Sequence, residues 1–203
     1  MKNLIMGVNM SKTIVIASNN KHKLKEFKEI LSNYNIITLQ DIGYDTDIEE
    51  NGQTFKENAL IKAETIHKYL KNKNNNYIVV ADDSGLCVDS LNGQPGIYSA
   101  RYAGKYGDNQ ANRNKLQNEL KGKNRDAYFI CTIVVYYPNG EYKIFEGKTY
   151  GRIIEEELGN KEFGYDCIFY SNDLDKTFGQ ATEEEKNSVS HRGRAIRKML
   201  KNM

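Results

Sequence analysis

The sequence predicts a mixed α/β fold in which strands and helices alternate early and a β-hairpin follows later. Three observations carry this. Residues 13–17 and 77–81 are short β-branched apolar runs of the kind found in strands buried on both faces. Apolar residues at helical spacing follow the first run and precede the second. Residues 127–137 and 142–149 are strand-like segments separated by Pro138, Asn139 and Gly140, a turn sequence that folds them into a hairpin. Alternation followed by a hairpin favours a mixed sheet over a purely parallel one.

Taken in order, the first strand runs straight into Ser18, Asn19 and Asn20, after which Leu24, Phe27, Ile30 and Leu31 step along one helical face. Residues 36–39 read as a second strand. From Thr54, the positions Phe55, Ala59, Ala63, Ile66 and Leu70 mark the clearest helix, which stops at the Asn-rich stretch 71–76. The strand at 77–81 ends on Asp82 and Asp83, followed by turn-forming Ser84 and Gly85. Residues 109–120 predict a helix, 167–169 a short strand and 189–200 a basic C-terminal helix.

With 203 residues, 39% hydrophobic and 28% charged, the chain fits one domain over residues 12–203, preceded by an extension at 1–11. A net charge of +2 demands neither a nucleic-acid nor a membrane partner. No apolar run approaches the roughly 18 residues that span a bilayer. Cys87, Cys131 and Cys167 are odd in number, widely spaced and unaccompanied by histidine at metal-ligand spacing, so they read as reduced thiols of a cytoplasmic protein.

Four segments are candidates for chemistry. Ser18, Asn19, Asn20, Lys21, His22 and Lys23 lie between a buried strand and a helix start, where outward-facing amides and polar side chains bind phosphate. Lys21 and Lys23 oppose the helix dipole there at about 0.3–1 kcal/mol each, a placement that a bound polyphosphate would reverse. A solvated, Lys-rich helix start is the plain alternative. The segment is not a Walker loop, and the Gly147-Lys148-Thr149 resemblance to one fails because Tyr142 stands where its first glycine is required.

The acidic pairs Glu49-Glu50 and Asp82-Asp83 suit Mg²⁺, which binds one or two carboxylates together with substrate phosphates. Strand alternation sends the Asp82 and Asp83 side chains to opposite sides and so to different tasks. Taken alone, Asp82 to Gly85 is also good turn chemistry. Phe163, Gly164, Tyr165 and Asp166 set two rings about a glycine and before a carboxylate, a pattern able to stack a base and read its edge. Finally, Lys186 and Arg192 suit phosphate, and His191 beside Arg192 can donate to a base carbonyl.

Together and in this order, the stretches 16–23, 49–55, 81–86, 95–104, 163–166 and 184–193 resemble the inosine/xanthosine triphosphate pyrophosphatase family, the non-canonical purine NTP pyrophosphatases. The resemblance runs from about Thr13 to Leu200. It implies an elongated sheet flanked by helices, with two lobes around a central cleft, usually in a homodimer. It also implies Mg²⁺-dependent hydrolysis of ITP, dITP and XTP to the monophosphate and pyrophosphate. By resemblance, Ser18 to Lys23 match the substrate-binding turn, and Glu49 and Asp83 the metal-binding carboxylates. Asp83 also matches the proton acceptor. Ser84, Phe163 to Asp166, Lys186, His191 and Arg192 match substrate contacts. Cys167 departs from the family's usual proline. Rival readings are a related pyrophosphatase for other modified nucleotides and a nucleotide sensor without catalysis.

Overall fold

The structure is a computed structural model that describes residues 13–73 and 75–203; the predicted extension at 1–11 lies outside the described residues. Seven strands form one mixed sheet in the order β2-β1-β3-β4-β5-β6-β7. Strand β1 (Thr13–Ile16) pairs in parallel with β2 (Asn35–Ile37) and with β3 (Ile78–Val88). The remaining pairings, through β4 (Asp126–Tyr136), β5 (Tyr142–Ile153), β6 (Phe169–Ser171) and β7 (Lys176–Thr177), are antiparallel. The mixed sheet and the hairpin are as the sequence predicts.

Helix α1 (Lys21–Ile30) starts where β1 ends, because Asn20 adopts an extended backbone and its side chain caps the first turn. Helix α2 (Phe55–Asn72) is capped likewise by Thr54 and buries Ala59, Ala63, Ile66 and Leu70 against one face of the sheet. Helix α3 (Asn109–Glu119) begins at Asp108, whose carboxylate accepts from the Ala111 amide. Near the C-terminus, α4 (Glu183–Val189) and α5 (His191–Leu200) follow one another.

Three predicted boundaries change. The helix expected at 189–200 is α5 and starts only at His191, because Ser190 has an extended backbone: it ends α4, to which Val189 belongs, and its hydroxyl caps α5 by accepting from the Gly193 amide. Cys167 belongs to a turn, and the strand expected at 167–169 begins only at Phe169. Asp82 to Gly85 is not a turn either: β3 continues through it to Val88, because every residue from Val79 to Val88 has a partner on β4.

That continuation shapes the molecule. At about 3.3 Å per residue, the 11-residue β3 and β4 and the 12-residue β5 are roughly 35–40 Å long. One apolar core packs α1 and α5 on one face of their proximal half, and another packs α2 on the opposite face. A third core gathers Leu86, Val88, Leu116, Phe129, Tyr165 and Phe169 around their distal half. Strand β1 reaches only as far as Val80, so Asp82, Asp83 and Ser84 lie beyond the carboxyl end of a parallel strand, where open α/β sheets form their crevices.

Candidate active site

A cavity of about 230 Å³ occupies this crevice. Asn20, His22 and Lys23 reach it from the start of α1, Glu50 and Lys62 from the loop before α2 and from α2 itself, and Asp83 and Ser84 from β3. Phe163 to Asp166, His191 and Arg192 line the same cavity. Residues from five distant parts of the chain therefore share one space.

The two adjacent aspartates have different surroundings. Asp82 is fully buried among the α1 and α5 side chains; its Oδ2 receives Lys23 Nζ at 3.0 Å and Arg192 Nη2 at 3.2 Å. Burial opposes its charge, but Lys23 and Arg192 overcome that and hold the carboxyl well below its ordinary range. Asp83 faces α2, where Asn58 Nδ2 donates to Oδ2 at 3.1 Å and the Ser84 amide donates to Oδ1 at 2.9 Å. Burial raises its pKa above the ordinary carboxylate value, against the pull of Lys62 and Lys23. One aspartate is locked as an anion; the other is poised to take a proton.

A chain of alternating charges extends from Asp82. Arg192, 1% exposed, bridges Asp82 to Glu26 and donates to Ser84 Oγ at 2.8 Å. Glu26 also meets Lys186 at 3.4 Å, and Lys186 contacts Asp166 at 2.5 Å. Although burial disfavours charge on Glu26, Arg192 and then Lys186 hold its pKa at about 2. Burial likewise opposes charge on Lys186, but Asp166 and Glu26 raise its pKa and keep it protonated.

This network revises several expectations. Arg192 is a buried cation that lines the cavity while its charge is shared with Asp82 and Glu26 and it donates to Ser84. Lys186 lines a smaller adjoining cavity with Glu26, Phe163 and Asp166 instead of the main one. Lys23 opposes the α1 dipole because Asp82 needs a cation, and the amides of His22 and Lys23 already donate to Asn20 Oδ1 at 3.0 and 3.1 Å. Ser18, Asn19 and Lys21 fall outside the cavity lining, Asn19 and Lys21 being exposed. Glu49 is exposed as well, and Glu50 takes the position in the cavity, 3.0 Å from Lys62 Nζ.

The aromatic segment Phe163 to Asp166 lines the cavity. The rings of Phe163 and His22 are 4.7 Å apart, and Lys186 Nζ lies 4.9 Å from the Phe163 centroid. His191 is buried and stacks on Phe129 at 4.8 Å; burial, then Arg192, pushes its pKa well below 6.5, so the ring is neutral at physiological pH. Its Nδ1 has no hydrogen-bond partner among the described residues. An orphaned nitrogen on a cavity-lining ring is the sort of group a polar ligand edge satisfies.

Sequence reasoning missed Lys62 and Asn58, which carry the clearest retrospective signal: polar residues one turn apart, adjoining the buried Ala59 and Ala63 stripe. It also passed over Glu26, Arg101 and Tyr106, of which the last two line the cavity. Among the described residues, no group of three or more His, Cys, Asp or Glu could hold a metal by itself. Asp83 and Glu50 line one cavity and offer hard carboxylate oxygens, a donor set that fits a hard divalent cation. No described helix is long and apolar enough to cross a membrane.

An open α/β sheet with ionic and aromatic groups converging at the end of its parallel strands defines a small-molecule site for a charged, ring-bearing ligand. The chain belongs to the Ham1 family, whose profile matches residues 14–202. It is 52% identical to the dITP/XTP pyrophosphatase of Clostridium perfringens over 198 residues, 95% of this chain and 97% of that protein. It is 48% identical to the enzyme of the same name from Bacillus subtilis, covering 94% of this chain and 96% of the relative. The solved Ham1 protein of Staphylococcus aureus superposes with a TM-score of 0.82 at 46% identity, covering 93% of this chain and 96% of that one.

Proposed function

We propose that this chain is a nucleoside-triphosphate pyrophosphatase that converts ITP, dITP and XTP to the monophosphate and pyrophosphate, keeping deaminated purines out of DNA and RNA. The observation that carries the reading is the single cavity shared by Lys23, Lys62, Glu50 and Asp83 with Phe163, Asp166 and His191. The names of the relatives carry two of these substrates, dITP and XTP.

In this reading, Lys62 and Asn20 face the triphosphate from the cavity wall, and Lys23 adds positive charge there while remaining paired with Asp82. Asp83 accepts a proton from the water whose oxygen attacks the α-phosphorus, and the bond from that phosphorus to the bridging oxygen breaks as pyrophosphate leaves. The raised pKa of Asp83 suits a proton acceptor better than a permanently ionised carboxylate would. Asp83 and Glu50 would hold Mg²⁺, which supplies neutralisation of phosphate charge. Asn58 and the Ser84 amide keep the Asp83 carboxylate oriented.

Phe163 stacks the purine, while Asp166, held by Lys186, and the neutral His191 ring supply polar edges. A 6-oxo purine satisfies donors that a 6-amino purine leaves unpaired, which separates ITP and XTP from ATP. GTP shares the 6-oxo group, so its rejection depends on the 2-position. The family resemblance further supports a homodimer acting in the cytoplasm; light scattering on the purified protein tests the dimer. The activity itself is tested by measuring pyrophosphate released from ITP, XTP, dITP, GTP and ATP with and without Mg²⁺. Turnover of the first three that requires Mg²⁺ supports the reading, and equal turnover of ATP removes the base assignment.

A further inference from the structure

The segment from Glu157 to Asp166 contains neither strand nor helix, yet it presents Phe163 and Asp166 to the cavity. One buried cation on α3 ties it down. Arg113 is 3% exposed and lies outside the cavity lining. Its Nε donates to Glu157 Oε1 at 2.9 Å, and its Nη2 to Gln110 Oε1 at 2.9 Å. Its Nη1 donates to the Gly164 carbonyl at 2.8 Å and to the Lys161 carbonyl at 3.3 Å.

Glu157, the acidic partner, is itself fixed. Gln110 Nε2 donates to it at 2.9 Å and Lys161 Nζ approaches at 3.2 Å. Asn109 Nδ2, on the preceding turn of α3, donates to the Glu162 carbonyl at 2.9 Å. Three of the four carbonyls from residue 161 to residue 164, all but that of Phe163, thus accept from side chains of one helix. Gly164 has φ +51°, a left-handed backbone that admits glycine readily, and Arg113 holds the carbonyl of that same residue between the two rings.

We infer that Arg113 is a positioning residue for base recognition. It touches no substrate; its planar fork sets the Gly164 and Lys161 carbonyls and thereby the angle at which Phe163 and Asp166 meet the purine. A lysine at this position keeps the ion pair with Glu157 but has no rigid fork to serve two carbonyls and Gln110 together. The inference rests on the assignment of Phe163 to Asp166 as the base-reading segment made above.

The test compares wild type, R113K and R113A in turnover of ITP and ATP, with inhibition by tripolyphosphate as a readout that involves no base. Thermal melting accompanies each measurement. R113K is expected to raise KM for ITP roughly tenfold and to narrow the ITP-to-ATP preference, with kcat changed less than about twofold and tripolyphosphate inhibition unchanged. If R113A does not fold, R113K alone decides. An R113K variant with wild-type KM and preference overturns the inference, as does a parallel loss of tripolyphosphate binding, which marks a merely structural role. A wild-type enzyme that turns over ITP and ATP equally overturns the base-reading assignment itself, and the inference with it.

Discussion

Asp82 and Asp83 are neighbours in β3, but Asp82 is bound by Lys23 and Arg192 on the α1 and α5 side while Asp83 is bound by Asn58 on the α2 side. Alternation along a strand turns one carboxylate into the interior and the other toward the cavity, with opposite properties. Their substitutions should therefore fail in opposite ways.

Asp83→Asn should lower turnover by about 10²–10⁴-fold, the usual contribution of a positioned proton acceptor. Burial raises the Asp83 pKa, so its charged form opposes folding: stability is greater at low pH and declines as pH rises through the folded pKa. The asparagine variant should accordingly melt no lower than wild type. A melting curve beside a pyrophosphate assay checks both, and a variant with near-normal rate removes Asp83 from the chemistry.

Asp82→Asn should instead destabilise the fold by about 3–5 kcal/mol, because it leaves Lys23 and Arg192 without their shared counter-charge in a buried setting. Chemical denaturation measures this. A loss under about 1 kcal/mol would mean that Glu26 alone compensates Arg192.

His191 sets an acid limit on stability. Its folded pKa lies well below the ordinary 6.5, so the unfolded chain binds a proton that the native ring refuses. The contribution is complete above pH 6.5 and declines as pH falls below it, by up to about 1.4 kcal/mol per pH unit until the folded pKa is reached. His191→Gln should flatten that slope; an unchanged slope in denaturation curves between pH 6.5 and 5 would assign it to other groups.

Gly147 lies where β5 passes beneath α5, and a Cβ there would fall on the His191 carbonyl and the Ala195 amide. Gly147→Ala should cost about 1–3 kcal/mol through overpacking and lower activity by displacing His191. A melting temperature equal to wild type would show that α5 can retreat freely.

Local signals in the sequence disclosed most of the elements. Extended apolar runs gave β1 and the start of β3, helical spacing gave α1 to α3, and the turn at Pro138 gave the β4-β5 hairpin. What local reading lost was tertiary in origin. Asp82 to Gly85 looks like a turn until β4 pairs with it, and Ser190 delays the start of α5 through a backbone bend that spacing does not record. In the site, Asn20, Lys23, Asp83, Phe163 to Asp166 and His191 were legible from residue type and place. Glu50 was legible as half of an acidic pair, whose two members only the fold tells apart; Lys62 and Asn58 were not, because a buried polar side chain declares itself only once its partner is known. The buried pairing of Arg192 was hidden for the same reason: its carboxylates lie 110 and 166 positions away in the sequence.

The most direct measurement is the identity of the phosphate product when the purified chain is incubated with ITP and Mg²⁺. Release of pyrophosphate and IMP in equal amounts, with ATP cleaved far more slowly, is the predicted result. Release of orthophosphate and IDP, or tight ITP binding with no cleavage at millimolar Mg²⁺, would contradict the account.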